Sequence, residues 1–209
     1  MLDRPVYTMP TRTSRKRRPA AAGDARERIE RTAYELFSQH GIQAVGVDTL
    51  ASRAGVAKMT LYRHYPSKGH LALAFLRRRE ELWTRTWLAN VIRDRTRKPA
   101  ERLLAIFDLF DGWFRKADYE ACSFLKTLLE HGDPKHPVRI AAQGHIEVIR
   151  LFLIGLAAEA RVRRPERFAL QWQMLMMGCI VAAYAGERDA ARRAREVGQL
   201  LLQREVRSE

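Results

Sequence analysis

The stretch Gly46 to Tyr65, GVDTLASRAGVAKMTLYRHY, constrains this chain more than any other. It reads as two short helices around a tight corner. The first, about Asp48 to Ala54, sets Leu50, Ala51 and Ala54 on one face. Gly55 stands where that helix must stop in a left-handed conformation, which a residue without Cβ adopts at little cost. Val56 plugs the corner, and a second helix, about Lys58 to Tyr65, buries Leu61 beneath it. A small residue at the crossing (Ala51), a turn residue (Gly55) and a core anchor (Leu61) are what a helix-turn-helix needs. The outward residues of the second helix, Lys58, Thr60, Arg63 and His64, all donate hydrogen bonds, and none is acidic. The same geometry occurs in proteins that never touch DNA, so spacing by itself leaves an ordinary helical hairpin open.

Charge favours a polyanionic partner. Residues 1–80 carry 16 Lys/Arg against 7 Asp/Glu, whereas residues 81–209 carry 22 against 17, so most of the net +14 surrounds the motif. Such a surface displaces counterions from phosphates. Acidic lipid is the other possible partner, but no long amphipathic Lys/Arg helix with a lipid-seeking face is evident. The longest nearly unbroken apolar run, Met174 to Ala185, falls short of the ~18–20 residues that span a bilayer. No apolar signal-peptide core stands at the N-terminus. The expectation is a cytoplasmic protein with no membrane partner. Cys122 and Cys179 suggest no disulfide framework and read as reduced core cysteines.

The remainder reads as helix throughout, an all-α chain with no useful alternating pattern. Met1 to Gly23 is polar and basic and is expected to be disordered; Arg12, Arg15, Lys16, Arg17 and Arg18 make either a DNA-reaching arm or a solvated tail. A first helix starts at Asp24, which with Glu27 suggests a capping box, sets Ile29, Ala33, Leu36, Phe37 and His40 on a core face, and ends at Gly41. A fourth spans Ser67 to about Arg93, with Arg77-Arg78-Arg79 as a solvated, positive face. Further helices are expected at about 99–117, 119–131, 136–161, 165–185 and 187–206, separated by Pro and Gly punctuation. Cys122, Glu130, His131, His136 and His145 match no zinc spacing, so neither metal nor cofactor is expected. Nucleophile-elbow, phosphate-loop, dinucleotide and zinc-protease motifs are absent, which argues against an enzyme.

The run Thr60 to Lys68, TLYRHYPSK, closely resembles the most characteristic segment of the TetR/AcrR family of transcriptional regulators. So does the block from Ala25 to about Leu76: a first helix ending F-x-x-x-G, then A-x-x-A-G-V, then T-L-Y-x-H-Y-x-S-K. The resemblance implies an arm over 1–23, a helix-turn-helix domain over 24–70 with its motif at 46–65, and a helical effector-binding and dimerisation domain over 71–209. It places Lys58, Met59 and Thr60 in the major groove, Tyr62, Arg63 and His64 on phosphates, and Lys68 at a phosphate near the start of the fourth helix. The family usually has Ser or Thr where Gly46 sits. Here Asp48 or Gly46 has to cap, an Asp repels phosphate, and Thr49 or Arg53 is left to make any contact there.

The aromatics Trp83, Trp87, Phe110, Trp113, Phe114, Phe124, Phe152 and Trp172 line an effector pocket or form plain core. Leu170, Met174, Met177, Gly178, Val181, Val197 and Leu201 on the last two helices fit the family's four-helix dimer interface, or else are buried within one subunit. The function implied is a sequence-specific regulator, a ligand-released repressor that binds a palindromic operator as a homodimer. The alternative is a small-molecule binding protein with a vestigial helix-turn-helix.

Overall fold

The computed structural model describes residues 24–88 and 98–206, residues 85–88 by their backbone only. The arm expected over 1–23 and the far end of the fourth helix lie outside the described residues. Nine α-helices make up the regular structure among the described residues: α1 (Ala25–His40), α2 (Val47–Ala54), α3 (Lys58–His64), α4 (Lys68–Glu80), α5 (Pro99–Phe114), α6 (Ser123–Glu130), α7 (Pro137–Glu159), α8 (Pro165–Tyr184) and α9 (Ala190–Glu205). A π-helical segment, Glu81–Leu88, continues α4. An isolated antiparallel bridge joins Val162 to Val206.

Local chemistry sets the helix ends. The Asp24 carboxylate accepts a hydrogen bond from the Arg26 N–H at the start of α1, and among the described residues the Glu27 carboxylate does not accept the reciprocal bond from the Asp24 N–H. Gly55 closes α2 in the left-handed conformation (φ 64°, ψ 41°), and the Val56 N–H reaches back to the Ala51 carbonyl. Pro137 and Pro165 occupy first-turn positions, where the missing N–H costs nothing. α6 starts at Ser123 instead of 119, because Ala121 takes a left-handed φ of 62° and breaks the helical path.

Two apolar clusters form. The head cluster joins Ile29 and Phe37 of α1, Leu50 of α2, Leu61 of α3 and Leu71, Phe75 and Leu76 of α4. It also takes in Phe124, Val138 and Ala142 from α6 and α7. The expected division after residue 70 therefore falls inside one packed unit, and α4 belongs to the head core as much as to the body. The body cluster centres on Leu103, Ile106 and Phe107 of α5, Phe168 and Trp172 of α8, and Ala191 and Leu202 of α9. α9 approaches closely at Gly198, where a Cβ would lie 2.8 Å from the Trp172 ring.

By length and composition α7 could cross a bilayer, with mean hydropathy 1.5 over 18 residues. His145, Glu147 and Arg150 interrupt its apolar pattern, so it contains no long unbroken apolar run. In the fold it packs against α4, α5, α6 and α8.

Candidate DNA-binding face and effector cavity

α3 rests on Leu61, fully buried, and Tyr65, whose hydroxyl donates to the Glu30 carboxylate of α1. Arg26 binds the same carboxylate at 2.9 Å. Burial pushes the Glu30 carboxyl up, but the Tyr65 and Arg26 bonds outweigh it and hold the group below the ordinary carboxylate range. Arg28 Nε donates to the Ala54 carbonyl at 3.1 Å, tying the end of α2 to α1. The motif is thereby fixed from behind, and its other face is open.

On that open face Lys58, Met59, Tyr62 and Arg63 are exposed, Met59 most of all at 78%, and Thr60 and His64 are half-buried. Thr49 and Arg53 of α2 are exposed beside them. Gly46 precedes α2 without any side-chain cap, and Asp48 takes a different role, pairing with Lys58 Nζ at 2.8 Å. The Asp48 bond and charge raise the Lys58 ammonium pKa. Lys58 is therefore fully charged, with its ammonium drawn toward α2. Lys68, half-buried in the first turn of α4, donates to the Gln43 carbonyl at 3.2 Å. Burial lowers its pKa, against the pull of Glu130.

Glu130, at the far end of α6, accepts hydrogen bonds from the Ile42 N–H (2.9 Å) and the Gln43 N–H (3.2 Å). Lys126 Nζ binds the Ser38 carbonyl at 3.2 Å, and Gln43 Nε2 meets His131 Nε2 at 3.0 Å. The α1–α2 loop, which orients the motif, is thus held by the body. Glu130 and His131 drew notice in the sequence only as possible metal ligands, and nothing there pointed to this loop. Gly41 shows the constraint: its φ is +82°, and a Cβ there would lie 1.8 Å from Glu130 Oε1.

The other end of α6 borders a cavity of about 80 Å³ between α4, α5, α7 and α8. Of the eight aromatics expected there, Trp83, Phe110, Trp113 and Phe124 line it. Phe114 packs on Phe110, Trp113 and Tyr119 outside the lining, Phe152 is partly buried against the body core, and Trp172 is fully buried against Phe107 and Phe168. The Trp87 side chain lies outside the described residues. Arg79, Cys122, Ser123, Gln173 and Met176 also line it, a role the sequence did not assign them.

Arg79 corrects an expectation. Arg77 and Arg78 are exposed as a solvated face should be, but Arg79 is buried, at 7% exposure. It lies four residues after Phe75, on the core face of α4. The Cys122 thiol is raised by burial, and Cys179 is pushed up to about 12 for the same reason.

Of the residues expected at a subunit interface, Leu170, Met174, Gly178, Val181 and Val197 are exposed along α8 and α9. Met177 lines the cavity, and Leu201 is half-buried against its own core. Tyr184 and Leu200 extend the exposed face.

Residues 29–75 match the family model described as bacterial regulatory proteins, tetR family. The HTH-type transcriptional regulator YjdC of Escherichia coli (strain K12) is 24% identical over 158 residues, covering 74% of this chain and 81% of YjdC. The HTH-type transcriptional activator FasR of Mycolicibacterium smegmatis is 39% identical over 72 residues, covering 30% of this chain and 33% of FasR. Among solved structures, SCO4454, a TetR-family transcriptional regulator from Streptomyces coelicolor, superposes with a TM-score of 0.80 at 24% identity, over 88% of this chain and 96% of that one. Residues 29–75 therefore carry a tetR-type helix-turn-helix, and the chain as a whole has the fold of TetR-family transcriptional regulators.

Proposed function

We propose that the protein is a ligand-released repressor that acts in the cytoplasm and binds a palindromic operator as a homodimer. The observation that carries this reading is α6, which borders the cavity at Cys122–Leu125 and holds the α1–α2 loop through Glu130. A molecule that enlarges the cavity moves the helix that orients the head. Lys58, Met59 and Thr60 read bases, Tyr62, Arg63, His64 and Thr49 meet phosphates, and Lys68 supports both the loop and the backbone contact. The exposed stripe Leu170, Met174, Gly178 and Val181 on α8, with Val197 and Leu200 on α9, supports self-association, since apolar surface of this extent is uncommon on a solitary subunit. Moving the population from 99:1 to 1:99 requires roughly 5.5 kcal/mol of differential ligand affinity.

Footprinting on the DNA upstream of the gene, with transcription measured from the same promoter, tests the reading. The expected result is two protected half-sites about one helical turn, ~34–36 Å, apart or a multiple of it, and transcription that falls when the protein is added. A single unpaired footprint refutes the dimer, and rising transcription refutes repression.

A further inference from the structure

The cavity is lined by one buried cation, Arg79, with no ion-pair partner among the described residues. Arg79 Nη1 donates to the Tyr34 hydroxyl at 2.9 Å and to Ser38 Oγ at 3.2 Å, and the guanidinium stacks over the rings of Trp83 (4.9 Å) and Tyr34 (5.3 Å). Among the described residues no carboxylate pairs with it; its neighbour Glu80 is taken by His145. Among the described residues both of these hydrogen bonds come from Nη1 and both go to neutral oxygens. On the same wall Ser123 is 4% exposed, and its Oγ has no hydrogen-bond partner. Buried charge held by neutral oxygens and rings is under-compensated, and a buried hydroxyl without a partner is unusual. The remaining wall is apolar, with Phe110, Trp113, Phe124, Met176 and Ile180.

From this we infer that the cavity binds a small apolar carboxylic acid as its carboxylate, with Arg79 as the anion-binding residue and Ser123 as a second donor. The inference rests on the reading of this cavity as the effector site. A planar guanidinium fork matches a carboxylate in a bidentate arrangement, and the ring-lined wall takes the acid's apolar part. At about 80 Å³ the space suits a single ring or a short chain. Arg79 also bonds two residues of α1, so an acid that draws its guanidinium into the cavity acts on the head through the same side chain.

The test is calorimetry on the full chain with benzoate, phenylacetate and hexanoate, each against its primary amide, beside anisotropy on operator DNA. At least one acid is expected to bind about tenfold or more tightly than its amide, the ratio associated with a charge-assisted hydrogen bond. Arg79→Gln should abolish that preference and Arg79→Lys should keep part of it. Ser123→Ala, which removes only the unpartnered hydroxyl, should weaken the acid severalfold and leave the amide unchanged. Because the acid-to-amide ratio is read on the unaltered protein, an Arg79 variant that fails to fold does not rescue the idea. It is overturned if no acid binds up to about 10 mM, the floor of meaningful affinity, or if amides bind as well as acids. An acid that fills the cavity without releasing DNA upholds the carboxylate site and refutes ligand release. Amides that release DNA where acids do not refute the carboxylate site and uphold ligand release.

Discussion

Glu130→Ala is the substitution whose effect the structure specifies most fully. The carboxylate accepts two backbone N–H groups of the α1–α2 loop, at 2.9 and 3.2 Å. Ile42 is 3% exposed, so its N–H has no water to turn to, and an orphaned buried donor costs about 1–3 kcal/mol. Gln43 is exposed and recovers most of its loss from solvent, leaving about 0.5 kcal/mol. The sum is about 1.5–3.5 kcal/mol for Glu130→Ala, and roughly 1 kcal/mol for Glu130→Gln, which keeps an acceptor but not the charge. With a urea slope of about 2–3 kcal/mol per molar, the midpoint should fall by about 1 M for the Ala variant. Hydrogen exchange gives the local reading: the Ile42 amide should lose protection well beyond the global change. The variant should also bind operator more weakly, because the loop that orients α2 and α3 is loosened. A midpoint within about 0.2 M of the parent, with the Ile42 amide still protected, would refute the reasoning.

Other expected outcomes are independent of the loop. Gly198→Ala puts a methyl 2.8 Å from the immovable, fully buried Trp172 ring and should destabilise the body by about 1–3 kcal/mol, read as a lower urea midpoint; no change would mean that α9 sits further out. Lys58→Ala should relax sequence preference by about tenfold, whereas Lys68→Ala should weaken all DNA equally and reduce the salt slope by about 1; the reverse pattern would exchange their roles. With its thiol near 12, Cys179 should resist alkylation at pH 8 in the native protein, and Cys122 should react slowly and become slower still when an acid fills the cavity; rapid native labelling of Cys179 would contradict its burial.

Much of the head was legible because local rules and tertiary packing agree there. Gly55 had to be left-handed, Leu61 had to be buried, and Ser67 was the natural cap for α4; the structure has all three. The boundary of α6 was not legible, because nothing in DYEACSF announces a left-handed alanine at 121. At Arg79 periodicity outweighs charge: the 71, 72, 75, 76, 79 spacing is a core stripe, and the arginine belongs to it. The cavity was half legible. Helical spacing marks aromatics as inward but cannot say which of them face a void and which face each other, and so Trp83 and Trp172 look alike in the sequence and end in different places. The Glu130 latch was invisible because its partners are backbone groups 87 and 88 residues away.

The central claim is that this head reads one DNA sequence in preference to others. Fluorescence anisotropy of the purified protein on DNA from immediately upstream of its gene, against scrambled DNA at several salt concentrations, tests that most directly. The expected result is a preference of about 10³ or more that survives physiological salt. Equal binding to both DNAs that disappears as salt rises would contradict it, leaving a basic surface that holds phosphates without reading bases.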